Sequence, residues 1–344
     1  MTKQEKILAF DPNGVGLKNG NFIGLPFDEN DADIVLLPVP WDVTVSYRAG
    51  TATAGSNILE ASSQLDLYDN DLRDAWQRGI YMRPVDSEIL AKNNSLRKKA
   101  EEYINFLETG GDMLNSKKMM QTLDLLNNEC RQLKKWVHEQ TAALLERDKI
   151  VGLVGGEHSV PLGYLEALAE RHEEFGILHI DAHCDLRKAY EGFIYSHASI
   201  FYNAAKLKNI SRIVQVGIRD YCDEETYLAK HSDGRIKIYT DAKMRQAIYE
   251  GASFYELAKD IIKKLPKKVY ISFDIDGLSP HLCPNTGTPV PGGFEFQEAL
   301  FLIKVLRESG KKIIGFDLCE TAGIGNEWDG NVAARVLYKL CCSV

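Results

Sequence analysis

The sequence predicts an α/β protein of three layers, with helices covering both faces of a parallel sheet. Three observations carry that prediction. Short apolar runs rich in β-branched residues recur along the chain, and stretches with apolar residues at helical spacing lie between them. Several of the runs are apolar at successive positions, as strands buried on both faces must be.

Taken in order, the strand-like runs are residues 33–38 (DIVLLP), 79–82 (GIYM), 150–154 (IVGLV), 176–180 (GILHI), 212–216 (RIVQV), 236–239 (IKIY), 269–273 (VYISF) and 313–316 (IIGF). Helical patterns fall at residues 56–67, 161–172, 198–207, 254–265, 296–309 and 330–340. Residues 93–147 break the alternation with two long charged helical patterns separated at Gly110-Gly111-Asp112, and read as a helical insertion. Its stripe of Met119, Met120, Leu123, Leu125 and Leu126 reads as a packing face. No repeat or linker divides the chain, so residues 31–344 are expected to form one domain. Residues 1–30, rich in Gly, Asn and Asp, read as an arm over the body or a frayed terminus.

Composition narrows the function. At 344 residues and 44% hydrophobic, the chain has enough apolar material for a large core. A net charge of -8 argues against nucleic acid or an anionic membrane as partner and suits a small cationic substrate. The opening MTKQEKILAFDPNG has no apolar signal core, and no apolar run approaches the roughly 20 residues that span a bilayer, so the expected location is the cytoplasm. Seven scattered cysteines form no C-x-x-C pair and read as reduced thiols; Cys184 fills space inside a chelating motif.

Three segments place acids or histidines where strands should end, the position at which open parallel sheets collect ligands. Gly155-Gly156-Glu157-His158-Ser159 follows the third run and would point His158 into a cleft. Asp181, His183 and Asp185 alternate in His179-Ile180-Asp181-Ala182-His183-Cys184-Asp185, so an extended chain would put all three on one side. Such a row at the end of an apolar strand would repel itself or lose solvation unless a cation held it. Asp274 and Asp276 repeat the spacing in Ser272-Phe273-Asp274-Ile275-Asp276-Gly277. Four carboxylates and two histidines without a thiolate make a hard donor set suited to Mn2+ or similar ions. If two carboxylates bridge, two ions fit with room for water.

These motifs resemble those of the arginase and agmatinase (ureohydrolase) family: a GG-D/E-H-S loop, D-A-H-x-D and S-x-D-x-D. The likeness extends to Pro38-Val39-Pro40, Ser46-Tyr47-Arg48-Ala49-Gly50, the run from Thr286 to Gly293 (TGTPVPGG) and Gly315-Phe316-Asp317-Leu318-Cys319-Glu320. The resemblance implies an arginase-like, eight-stranded parallel sheet with a binuclear manganese site at its carboxyl edge, nickel being used by some members. It implies that His158, Asp181, Asp185 and Asp274 hold one ion and Asp181, His183, Asp274 and Asp276 the other. It also implies that activated water attacks a guanidinium carbon, that Asp185 holds that water, that His197 shuttles a proton to the departing amine and that Glu320 grips the guanidinium. A homo-oligomer, trimer or hexamer, is implied as well.

Departures bear on the substrate. Glu157 stands where many members have Asp, Ser279 replaces an acid, and Thr321-Ala322-Gly323 replaces the usual continuation after the glutamate. The run Leu186-Arg187-Lys188-Ala189-Tyr190-Glu191-Gly192 with Ser196-His197-Ala198-Ser199 looks like the agmatinase loop and lacks the arginase residues for an amino acid head. Hydrolysis of agmatine to putrescine and urea is therefore the expected activity. Guanidine hydrolase, formimidoylglutamase and arginase are the alternatives with the same site. Arg187 would favour a carboxylate-bearing substrate unless it pairs with Glu191. A single-zinc deacetylase of similar fold is the distant alternative, and would need fewer carboxylates.

Overall fold

The computed structural model describes residues 1–344. Eight strands form one sheet: β1 (Ile34–Val39), β2 (Ile80–Met82), β3 (Ile150–Gly155), β4 (Phe175–Ile180), β5 (Ile210–Ile218), β6 (Ile236–Thr240), β7 (Lys268–Asp274) and β8 (Lys312–Cys319). Every pairing is parallel, in the order β2-β1-β3-β8-β7-β4-β5-β6. The three-layer, eight-stranded α/β architecture expected from the sequence is the one observed.

The helices are α1 (Lys3–Ala9), α2 (Ala54–Ser62), α3 (Ser87–Glu108), α4 (Lys117–Glu146), α5 (Leu162–Arg171), α6 (Ile200–Ala204), α7 (Asp223–Lys230), α8 (Asp241–Tyr249), α9 (Phe254–Lys263), α10 (Phe296–Glu308) and α11 (Glu327–Ser343). Side chains alternate across the strands, so the core divides in two. Ile34 and Leu36 join a cluster with Ile58 of α2, Ile261 of α9, Leu302 of α10 and Leu337 of α11. Val35 and Leu37 join the other, with Leu96 of α3, Leu126 of α4, Leu165 of α5 and Phe201 of α6. No helix is long and apolar enough to cross a membrane.

Several segments differ from the sequence reading. The helix expected over residues 198–207 keeps regular geometry only through Ala204, because the last turn tightens: Lys206 and Leu207 donate to carbonyls three residues back. Helices α7 and α8 are too polar to show an apolar stripe, but their ends are capped. Glu225 accepts from the Cys222 amide, and Thr240 accepts from the Lys243 amide. In α4 the buried face is Met119, Leu126, Cys130, Leu133 and Val137, whereas Met120 and Leu125 are exposed. At the amino end, Phe22, Ile23, Leu25 and Phe27 pack into the core beside Trp76 and Ile80. Asn21 anchors them, donating to the carbonyls of Leu25, Phe27 and Ile80 and accepting from the Met82 amide.

This strand order matters for function. Strands β3, β8, β7 and β4 are consecutive neighbours at the centre of the sheet, and each ends in one of the acid- or histidine-bearing segments. Residues more than a hundred positions apart therefore meet at one edge.

Candidate active site

His158 lies at the middle of the meeting point. Its Nδ1 is 3.0 Å from Asp181 Oδ2, 3.1 Å from Asp185 Oδ2 and 3.2 Å from Asp274 Oδ2. Its amide donates to Glu320 Oε1 at 2.9 Å. The loop before it can come this close only because Gly156 has no side chain: a Cβ there would lie 1.8 Å from the Trp41 carbonyl oxygen. His183 sits beside the second pair of acids, its Nδ1 3.1 Å from Asp276 Oδ2 and 3.4 Å from Asp181 Oδ1. Asp274 Oδ1 accepts from the Asp276 amide, and Asp276 Oδ1 from the Ala182 amide.

All six residues expected to hold ions thus converge, although not by the extended-chain route. Strand β4 stops at Ile180, and Asp185 takes a left-handed backbone with φ 52°. A turn, not strand alternation, brings its carboxylate back to His158. His197 and Glu320 line the same cleft of about 150 Å³, together with Ser46, Arg187, Tyr190, Asp220 and Thr288.

The electrostatics are those of crowded acids. Burial, reinforced by Asp181, pushes the Asp185 carboxyl up to about 7. Burial, with Asp276 and Asp181 nearby, drives Asp274 well above the usual carboxylate range, and burial does the same to Glu320. Burial also raises Glu157 to about 7, against the hydrogen bonds it receives from Ser159 and Thr44. For His158, burial opposes the charge, but Asp181, Asp185 and Asp274 prevail and raise it well above the ordinary range. His197 is lowered to about 3 by burial, with His183 and His158 adding to the effect. The four aspartates have only histidines as cationic neighbours within ion-pair distance. Anionic oxygens converging without a lysine or arginine are what a bound cation relieves, so the donor set fits divalent metal.

Sequence reasoning assigned no role to four residues that support this cluster. His179 Nε2 lies 2.7 Å from Asp181 Oδ2, and its Nδ1 lies 2.9 Å from Gln215 Nε2. On the far side of His158, Nε2 is 2.9 Å from Ser272 Oγ, which donates to Asp317 Oδ2 at 2.7 Å. The available signal was a polar residue inside an otherwise apolar strand: His179 in β4, Gln215 in β5, Ser272 in β7 and Asp317 in β8. Arg187 was a further question. It forms no ion pair with Glu191 and instead stacks over the Tyr190 ring, 5.1 Å from its centroid.

Known proteins place this arrangement. The arginase family profile matches residues 32–343. An N(1)-aminopropylagmatine ureohydrolase from Thermus thermophilus is 31% identical, over 91% of this chain and 90% of its own. An agmatinase from Bacillus subtilis is 28% identical, over 93% and 94%. Among solved structures, the agmatine ureohydrolase of Thermoplasma volcanium shares the fold with a TM-score of 0.71 at 24% identity, over 99% of this chain and 97% of its own. The class is a hydrolase of guanidino carbon–nitrogen bonds. The chain belongs to the arginase family.

Proposed function

We propose that this enzyme removes urea from a guanidino group at the end of a cationic aminoalkyl chain, agmatine being the simplest such substrate and putrescine its product. The observation that carries the reading is the cleft itself: a buried row of aspartates and histidines with Glu320 at its wall. His158, Asp181, Asp185 and Asp274 would hold one divalent ion and Asp181, His183, Asp274 and Asp276 a second, Mn2+ being the hard ion such donors suit and Ni2+ an alternative. Bound there, the ions supply Lewis acidity and a lowered pKa for water.

The chain's own groups supply the rest. Glu320 has one carboxylate oxygen on the His158 amide, and its Oε2 is buried without a partner. A guanidinium donating to that oxygen would satisfy it and turn its carbon toward the aspartates. Asp185 Oδ would accept a hydrogen bond from the attacking water and hold its lone pair on line. His197 would deliver a proton to the amine as the carbon–nitrogen bond breaks. The enzyme is further inferred to work in the cytoplasm as a trimer or hexamer, to be checked by light scattering of the purified protein.

Urea release from protein loaded with Mn2+ or Ni2+ tests the reading against agmatine, arginine and guanidine, with formamide release from formimidoylglutamate in parallel. Turnover of agmatine above the others is the expected result. Silence on all four with two ions bound per chain would remove agmatine as the substrate and move the search to longer or unusual guanidino compounds. Arg187 supports a second reading, because an unpaired guanidinium at the cleft attracts a carboxylate tail and repels an amine. The Arg187→Gln substitution separates the two. For an amine-tailed substrate KM should fall or hold, whereas for a carboxylate-tailed one it should rise about tenfold or more, the worth of one charge-assisted hydrogen bond.

A further inference from the structure

Glu157 is buried 0% exposed, one residue before His158, yet its carboxylate faces away from the aspartates. Oε2 accepts from the Thr44 amide at 2.7 Å; Oε1 accepts from the Thr44 hydroxyl at 2.9 Å and from Ser159 Oγ at 2.6 Å. Three donors surround it, the pattern of an acceptor-only carboxylate. Thr44 is itself fully buried and held from both sides. Arg97 of α3 donates to the carbonyls of Val43 and Val45, and Asn93 and Asp42 hydrogen-bond side chain to side chain. The Thr44 hydroxyl also meets His197, accepting from its amide at 3.2 Å and lying 3.4 Å from its Nδ1.

A hydroxyl has one proton to give. Because Glu157 takes it, Thr44 Oγ1 can only accept from His197, and the ring nitrogen facing it must be the one that bears hydrogen. Neutral His197 then carries its proton on Nδ1 and keeps the Nε2 lone pair free, since Nε2 has no partner within the protein. When Nε2 gains a proton, Nδ1–H retains its acceptor, so the ring need not turn before handing the Nε2 proton on.

We infer that Glu157 and Thr44 are positioning residues that fix the tautomer of His197 and aim its Nε2 at the cleft. The inference rests on the reading of His197 as the proton carrier, and it gives the glutamate at position 157 a purpose that no contact with an ion would. A side chain one methylene longer than aspartate spans from the loop after β3 to the loop after β1.

The test uses full-length enzyme. Thr44→Val removes the acceptor while keeping the shape, and Thr44→Ser restores it. Thr44→Val should lower kcat about tenfold, a fraction of the ~10²–10⁴ that general acid–base catalysis contributes. KM and metal content should stay within about twofold, and Thr44→Ser should recover most of the rate. Independently of activity, nitrogen NMR of 15N-histidine-labelled protein loaded with diamagnetic Zn2+ should show His197 as the Nδ1–H tautomer in the parent and in Thr44→Ser. Its signal is assigned by its absence in His197→Asn. Thr44→Val should populate the Nε2–H form. Glu157→Gln, which keeps the hydroxyl but offers it a donor, should shift the tautomer in the same direction. An Nε2–H tautomer in the parent would overturn the inference, as would Thr44→Val at parental kcat while His197→Asn is inactive. Parental activity in His197→Asn would instead bring down the proton-carrier reading beneath it.

Discussion

Glu320 holds a backbone φ of 59°, a left-handed conformation that costs a side chain such as glutamate roughly 1–3 kcal/mol. Its surroundings fix it there: its amide donates to the Gly156 carbonyl, its own carbonyl accepts from Thr286 Oγ1, and one carboxylate oxygen takes the His158 amide. What this geometry leaves over is Oε2, buried and unpartnered. Burial holds this carboxyl well above the usual carboxylate range, and a cationic donor reaching Oε2 would favour its ionised form. Glu320→Gln keeps the size and the contact to His158 but removes the charge. Loss of a charge-assisted hydrogen bond of about 1.5–3 kcal/mol should lower kcat/KM by about 10–150-fold. Metal content by atomic absorption should not change. An equal loss of metal and activity would mean that Glu320 belongs to the ion site and not to the substrate.

Helices α3 and α4 support the site without touching the chemistry. From α3, Arg97 and Asn93 fasten the loop carrying Thr44 and Ser46, and the Tyr103 hydroxyl donates to the Glu191 carbonyl. From α4, Asn127 donates to the Gly192 carbonyl and accepts from the Ile194 amide, holding the segment that leads to His197. Replacing Asn127 by Leu leaves that amide without its partner, at about 1–3 kcal/mol. The 190–196 loop should then exchange its Ile194 amide faster, and kcat/KM should drop several-fold in a protein whose far-UV circular dichroism is unchanged. Unaltered exchange at Ile194 would deny the helix this role. None of these links could be read from the sequence, because each joins segments 51 to 88 residues apart through one polar side chain on a helix that otherwise looks solvated. The strands were legible for the opposite reason: burial on both faces leaves an apolar run that needs no partner to be seen. So were Asp181, Asp274 and Asp276, which interrupt or end such runs at a fixed spacing. His179 and Asp317 were not, since their value lies in which strand stands next to theirs, and the order β3-β8-β7-β4 is a property of the folded sheet.

At the scale of the molecule, the two halves of the core close around a centre that opposes folding. The sheet draws four aspartates to one edge, and within the protein their only cationic neighbours are histidines, helped by a few backbone amides. Ion binding and fold stability should therefore be linked, because a ligand that binds the folded chain alone stabilises it by RT ln(1 + [L]/Kd), about 2.7 kcal/mol at a hundredfold excess over Kd. Unfolding entropy scales with length at roughly 2.1 cal/mol/K per residue. For 344 residues that is about 0.7 kcal/mol/K, so each ion should raise Tm by roughly 4 °C and two by roughly 8 °C. Calorimetry of chelator-treated protein before and after Mn2+ is restored measures this directly. Asp181→Asn supplies the control: its carboxylate contacts both His158 and His183, and it belongs, with Asp274, to both proposed ion sets. The variant should lose activity and the Mn2+-dependent rise in Tm together, and its metal-free Tm should fall as well, since His179, His158 and His183 hold the Asp181 carboxyl well below the usual carboxylate range and its charge stabilises the fold. If the parent melts at the same temperature with and without Mn2+, the buried acids are satisfied by their histidines alone, and the two-ion reading of the cleft fails with them.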